Sequence, residues 1–410
     1  MSQPETDQQI PEILYNPMAP GFDEDPFPTY AQMREAPVYF WPMAGFYIVA
    51  RFNDVIALLR DPRLTTDPVA AGHPAPEAML PDAIRKPIES SLTRLSPKDH
   101  ARVRRAVSPA FTPRAIERLR PEIQRVVDEA LAQFVVDGEL DAVKFVEYIP
   151  LRVIATMLGI PAEHDETFRK FGHALVKLHD PRMTPDAFAE VAPPVLMGID
   201  LIRGLIAERR NNLGEDLLST VIRAEETGDG LSEDEMVGLV AMLINGGSLT
   251  TLHFLSFAVK SLCCVPERAA EVRAEPAILP SALEEVLRHD SFGKSGTLRF
   301  ATEDIEVSGV RLPRGARILV FFPAAYRDPS AFPDADRFDP RRKPTENLNY
   351  GHGMHFCTGA ALARLEGEVA IGTLFDRYAD MRLAADVVFA MHPLVREIAS
   401  MRVKVTPKTM

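Results

Sequence analysis

Apolar positions along this chain change their spacing several times, and each change predicts a change of element. From Pro26 to Arg60 the pattern opens with a short helix (PFPTYAQMREA). Two apolar strands follow, VYFW and FYIVA, joined by a turn at Pro42 to Gly45, and then a helix at FNDVIALLRD. Residues 66 to 97 carry Pro68, Pro74, Pro76, Pro81, Pro87 and Pro97 with little periodicity, which predicts a long loop with at most short helical pieces. From about residue 98 to 270 the spacing is helical almost throughout, with breaks expected at Pro113, Pro150, Pro161, Pro181, Pro193 and the Gly228 to Gly230 turn. Ser232 to Cys264 is the most continuous stretch. Ser232 followed by Glu235 is a capping box, and the long apolar run behind it predicts a helix through the core. A helix at Ser281 to Arg288 comes next, then strands at TLRFAT, IEVSG and ARILVFF. A Pro-rich meander from Pro323 to Pro344, a Gly-punctuated loop, a helix from Thr358 to Tyr378 and C-terminal strands complete the chain. The predicted class is mainly α with small β-sheets. No repeat and no dinucleotide-type glycine fingerprint is present.

Composition narrows the partners. The chain has 410 residues, 46% hydrophobic and 25% charged, enough for a large packed core. The N-terminal MSQPETDQQIPEILYNP is polar, so residues 1–20 are expected to be flexible and to hold no signal peptide. No apolar run is expected to reach the roughly 20 residues that span a bilayer, which predicts a cytoplasmic protein without membrane attachment. A net charge of -12 repels polyphosphate, so nucleic acid is not an expected partner, and it identifies no substrate. Cys263, Cys264 and Cys357 form no disulfide framework.

The sharpest chemical signal is Tyr350-Gly351-His352-Gly353-Met354-His355-Phe356-Cys357-Thr358-Gly359, a cysteine in a Gly-rich loop just before a helix. The glycines allow a tight turn and close approach to a planar ligand, and the helix N-terminus favours the thiolate that a metal needs. A buried free cysteine acting as a small hydrophobe is the competing reading, and spacing alone does not choose between them.

The decapeptide resembles the haem-binding loop of the cytochromes P450, Phe-Gly-x-Gly-x-His-x-Cys-x-Gly, with Tyr350 in place of Phe. The resemblance extends in order along the chain. His100-Ala101-Arg102-Val103-Arg104 is similar to the family's propionate-binding helix, Glu285-Val286-Leu287-Arg288 to its Glu-x-x-Arg motif, and Asp336-Arg337-Phe338 to its meander. The resemblance implies a cytochrome P450 fold over residues 21–410, one large helical domain with a β-rich lobe. It implies haem b with Cys357 as iron ligand and electron donor, and with Tyr350, Gly351 and Gly359 shaping the loop. His100, Arg104, Arg299 and His355 would meet the propionates; His100 and Arg104 are four apart, about 40° around a helix. Glu285, Arg288 and Arg337 would form a structural charge network that pins the meander.

On the oxygen side, Asn245-Gly246-Gly247-Ser248-Leu249-Thr250-Thr251 resembles the family's Gly-x-(Asp/Glu)-Thr stretch. Thr250 would supply the proton-relaying hydroxyl, while Leu249 stands where an acid is expected; Asn245 or Ser248 would then complete the relay. Adjacent glycines in a helix cost about 1 kcal/mol each, which predicts either a local widening of the helix or close packing on a neighbour. By the same resemblance Phe168, Phe171, Leu175, Met242, Leu243, Gly246, Phe292, Leu298 and Leu394 would line a substrate cavity, although core packing has the same spacing. SFGKSGTL departs from the family's apolar pattern, and Lys294 in it is expected at the surface.

The activity implied is insertion of one oxygen atom from O2 into a mid-sized apolar molecule such as a polyketide or terpenoid, by a monomer. Electrons would come from NAD(P)H through ferredoxin reductase and a ferredoxin, or a flavodoxin, docked on Arg102, Arg105, Arg341, Arg342 and Arg364. A reductase-independent isomerase or peroxygenase is the alternative, and a haem sensor a third class.

Overall fold

A computed structural model describes residues 10–178, 183–224, 230–343 and 348–409, and the chain divides into two compact units. The expected breaks at Pro181 and Gly228 lie outside the described residues.

The first unit comprises Met1–Ala75, Val265–Cys357 and Val388–Ala399. Its five-stranded sheet runs in the order Tyr39–Trp41, Phe46–Val49, Arg317–Val320, Thr297–Ala301, Leu64–Thr65. Phe46–Val49 and Arg317–Val320 pair in parallel with Ile48 opposite Leu319, and Phe46–Val49 and Ile318–Val320 are unbroken apolar runs, as expected where both faces are covered. Tyr47, Val49, Ile318 and Val320 enter one buried cluster with Val55 and Leu58 of the helix Phe52–Arg60. The alternate residues Ile48, Leu319 and Phe321 enter another with Ile13, Tyr15 and Tyr30. Residues 10–20, expected to be flexible, are therefore packed: the polar composition of the N-terminus hid the inward spacing of Ile13 and Tyr15.

The helix Leu279–His289 carries a buried charge network. Arg288 Nε and Nη2 meet the two Glu285 oxygens at 2.7 and 2.8 Å, and Arg288 Nη1 donates to Tyr326 O and Ala335 O, both at 2.8 Å. The second guanidinium on Glu285 is Arg342, at 3.3 Å, and not Arg337 as the motif implied. Arg337 is exposed and offers its carbonyl to both Arg288 and Arg342. The meander turns back at Asp339, whose N–H also donates to Glu285, and this brings the later arginine onto the carboxylate.

The second unit comprises Pro76–Cys264, Thr358–Val387 and Ser400–Met410. Its long helix Glu233–Ala258 continues through a π-turn, Val259–Cys263. Both bonds of the capping box form: Glu235 N donates to Ser232 Oγ at 3.2 Å and Ser232 N to Glu235 Oε2 at 2.8 Å. It packs most extensively on Ala142–Leu158, and also on Asp165–Lys177, Pro185–Asn211 and Ala360–Arg377. At 31 residues through the π-turn it is long and apolar enough to cross a bilayer, contrary to expectation, but 61% of its most apolar stretch is buried in the protein, as in a core helix.

Three local expectations change here. Pro150, and Pro193 with Pro194, lie inside helices and break neither; at Pro150, burial of Ile149, Pro150, Leu151 and Val153 offsets the roughly 3 kcal/mol that an interior proline costs. A hairpin of Val135–Val136 and Glu139–Asp141 interrupts the helical stretch at Asp137-Gly138, both at positive φ (52° and 76°). Asp-Gly is a strong hairpin-turn dipeptide, so the signal was present in VVDGEL. The proline-rich loop holds a full helix, Asp82–Glu89, whose far end sits on the long helix. A Cβ at Gly238 would lie 2.3 Å from Pro87 O, so only glycine fits there.

Glu366, on the helix Ala360–Arg377, is 1% exposed, and neither carboxyl oxygen has a hydrogen-bond partner among the described residues. Burial pushes its pKa well above the ordinary carboxylate range. Between the unfolded value of about 4.3 and the raised folded value, the folded state keeps a proton that the unfolded state has lost. Stability then falls as pH rises, by up to about 1.4 kcal/mol per pH unit. Glu366→Gln is expected to flatten this slope and to raise Tm most at the alkaline end; parallel Tm curves between about pH 5 and pH 8 would show that the carboxyl is solvated.

Candidate active site

The cysteine loop belongs to the first unit. Two 3-10 turns, Leu348–Tyr350 and Gly353–His355, fold it back on itself, and Cys357 N donates to Tyr350 O at 2.7 Å. Gly351 and Gly353 have φ of 68° and 66°, a region that favours glycine, so these two motif positions are fixed by the turn. Gly359 has ordinary φ and open space at its missing Cβ; its place at the helix start explains it better than sterics. Arg60 Nη2 donates to His352 Nε2 at 2.8 Å and braces the loop. Tyr350 is buried, His355 is half-buried, and Cys357 is exposed with exposed Met354 and Phe356 beside it.

Arg299, on the strand Thr297–Ala301, is buried, and burial pushes its pKa down to about 10. Its guanidinium donates only to Thr297 Oγ1 (2.5 Å) and Leu298 O (3.1 Å), and no carboxylate pairs with it among the described residues. A buried cation without a protein anion fits the carboxylate of a bound group. An exposed thiol bracketed by exposed apolar side chains likewise fits a planar apolar ligand. Both observations match the haem implied by the sequence.

In the second unit the helix Pro97–Val107 carries His100, buried, and Arg104, half-buried. Burial first, and then the neighbouring Arg104 charge, lower the His100 pKa and favour its neutral form, which leaves Arg104 as the cation beside it on this helix. Arg102 does not point freely outward as expected. Its guanidinium binds Glu235 and donates to Gly230 O at 2.9 Å, tying this helix to the start of the long one. The other proposed docking arginines fare similarly. Arg341 pairs with Glu271 and Glu275 at 3.1 and 2.9 Å, and Arg342 serves the Glu285 network. Arg105 is exposed and Arg364 half-buried. In a chain of net charge -12, neighbouring acids claim most arginines.

The long helix separates its two adjacent glycines by role. Gly247 faces Ile154, whose Cγ1 would lie 3.3 Å from a Cβ, so it serves close packing on the Ala142–Leu158 helix. Gly246 faces open space, on the exposed face that also carries Thr250, and Thr250 Oγ1 donates to Gly246 O at 2.5 Å. The helix stays α-helical through both, so the expected widening does not occur there; the π-turn falls later, at Val259–Cys263. Ser248 is buried with Oγ bonded to Ile244 O at 2.5 Å, which removes it from a relay on the Thr250 face. Leu249 is half-buried, near Gly172, and Asn245 is half-buried one turn earlier.

Of the expected cavity residues, Phe168 and Phe171 are 1% and 0% exposed, and a Cβ at Gly198 would lie 2.2 Å from Phe171 Cδ2. At that burial both pack as core residues do. Leu175 and Leu243 are buried, Met242, Phe292 and Leu298 half-buried, Gly246 and Leu394 exposed. Lys294, expected at the surface, is fully buried.

The model of the family described as Cytochrome P450 matches residues 71–380. The chain is 39% identical over 403 residues to epothilone C/D epoxidase of Sorangium cellulosum, covering 97% of this chain and 96% of that one. It is 33% identical over 399 residues to 6-deoxyerythronolide B hydroxylase of Saccharopolyspora erythraea (94% and 97% covered). Against a polyketide biosynthesis cytochrome P450 of Bacillus subtilis it is 30% identical over 410 residues (96% and 99% covered). The crystal structure of an epothilone D-bound cytochrome P450 superposes with a TM-score of 0.89 at 38% identity, covering 97% of this chain and 100% of that one.

Proposed function

The chain belongs to the cytochrome P450 family, and from that premise we propose that it oxidises a macrocyclic polyketide, by hydroxylation or epoxidation. The enzyme is a haem-thiolate monooxygenase. Haem bound through a cysteine thiolate would supply the activation of O2, with two electrons and two protons accounting for one oxygen atom in the product and one in water. Cys357 would hold it, with Tyr350, Gly351 and Gly359 setting the loop around the sulfur. Arg299, His355, His100 and Arg104 would neutralise its two carboxylates. Thr250, on the exposed face of the long helix, would hold a proton donor for the reaction.

The observation that carries the substrate class is the end-to-end similarity to the epothilone epoxidase, supported by the two other relatives named for polyketide chemistry. Electrons are proposed to come from NAD(P)H through a ferredoxin or flavodoxin, to a monomeric protein in the cytoplasm; the helix Glu233–Cys263, which has membrane-spanning length, is 61% buried over its most apolar stretch, which supports that location. Titration of the haem-loaded protein with epothilone D and 6-deoxyerythronolide B is expected to shift the haem absorption as substrate displaces distal water. Turnover with a surrogate ferredoxin system should add one oxygen to the ligand by mass spectrometry. If neither these nor other macrolactones bind, while terpenoids or fatty acids do, the substrate class is wrong.

A further inference from the structure

Lys294 fastens three separate stretches of the first unit. Its Nζ donates to Pro17 O and His392 O, both at 2.9 Å, and lies 2.5 Å from Asp23 Oδ1. Its backbone joins in: Lys294 N donates to Leu394 O at 2.8 Å, and Tyr15 Oη donates to Lys294 O. Arg396, also buried, repeats the arrangement alongside. Its Nε donates to Asp23 O at 2.8 Å, Nη1 to Asp290 O at 2.9 Å, and its main-chain N–H to Phe292 O at 2.7 Å. Residues 15–24, 290–296 and 392–396 thus meet around two buried cations.

The glycines flanking the lysine fit this clasp. A Cβ at Gly296 would lie 1.5 Å from Val320 O, so the backbone there presses against the sheet, and Gly293 pairs with Val395 in a β-bridge. Burying a lysine is costly, and an apolar side chain of similar length would fill the space with less desolvation. What the ammonium adds is direction, because it donates to two carbonyls at fixed positions and faces the Asp23 carboxylate as an ion pair. One of them is the carbonyl of His392, in a turn whose apolar side chains Met391 and Leu394 are exposed.

We infer that Lys294, together with Asp23, is a positioning residue for substrate: it fixes where the Met391–Val395 turn presents Leu394. The inference rests on the reading that this turn walls the substrate cavity. The N-terminal segment, far from the cysteine in sequence, thereby takes part in specificity.

Lys294→Met and the milder Asp23→Asn, which leaves the lysine its two carbonyl acceptors, test the clasp in the haem-loaded protein. Two azoles serve as probes: imidazole, which occupies only the metal, and clotrimazole, which also fills the cavity. Clotrimazole is expected to bind about tenfold more weakly to Lys294→Met and about threefold more weakly to Asp23→Asn. Imidazole affinity should stay within about twofold, and amide exchange at 392–396 should quicken. Equal weakening of both azoles would show general damage and overturn the proposal, as would unchanged clotrimazole binding. Leu394→Ala separates this from failure of the cavity reading. If it leaves clotrimazole affinity unchanged, the turn is not a cavity wall; if it weakens clotrimazole while the clasp variants do not, the clasp alone is wrong.

Discussion

Cys357→Ser will abolish the strongly red-shifted absorption band of the reduced CO complex, and turnover with it, while the protein stays folded. The shift arises from sulfur electron density donated to iron, which an alcohol at the same place does not supply. The fold should not notice the change. Cys357 is exposed, the bond that holds the loop runs from its backbone N–H to Tyr350 O, and the positive φ angles belong to Gly351 and Gly353. An exposed, near-isosteric substitution costs within about 0.5 kcal/mol. Haem content should persist in part through Arg299, a buried cation whose place does not depend on the sulfur. A Cys357→Ser protein that retains the band would assign the ligand elsewhere, and Tm measured on the same sample guards against mistaking unfolding for loss of ligation.

That loop was legible in the sequence because its glycines answer to local backbone geometry, which a short window contains. The same holds for the capping box at Ser232 and for the double-faced strand segments Phe46–Val49 and Ile318–Val320, where unbroken apolar runs report burial on both sides. What was not legible depends on partners distant in sequence. Lys294 reads as a surface residue until Pro17, Asp23 and His392 arrive beside it. Arg337 and Arg342 are equivalent candidates for Glu285 until the turn at Asp339 decides between them. Gly246 and Gly247 look alike in sequence, and only the place of Ile154 shows that one serves packing and the other the open face. Phe168 and Phe171 have the spacing of either a cavity wall or a core, and only the structure shows Phe171 pressed against Gly198. The Asp137-Gly138 hairpin was the one local signal passed over, outweighed by the helical pattern on both sides of it.

Thr250→Ala is expected to break the coupling between NAD(P)H use and product, releasing hydrogen peroxide in place of oxidised substrate. Delivery of protons to a reacting oxygen needs a group that donates on the correct face, and such groups contribute roughly 10²- to 10⁴-fold in rate. Of the candidates on this helix, Ser248 is buried with its hydroxyl bound to Ile244 O, and Leu249 has no proton to give. Leu249 also lies near Gly172 of the Asp165–Lys177 helix, a contact that a carboxylate would spoil, which gives a packing reason for an apolar residue where the family places an acid. Thr250 is left as the hydroxyl on the exposed face, held by Gly246 O. Product formed per NAD(P)H should fall about tenfold or more, with substrate affinity unchanged and the solvent deuterium isotope effect on product formation altered. Leu249→Glu is expected to lower Tm without restoring coupling to the Thr250→Ala background, because its carboxylate would face the neighbouring helix. If Thr250→Ala stays fully coupled with the true substrate, the protons come from elsewhere, and a hydroxyl of the substrate itself becomes the donor to test.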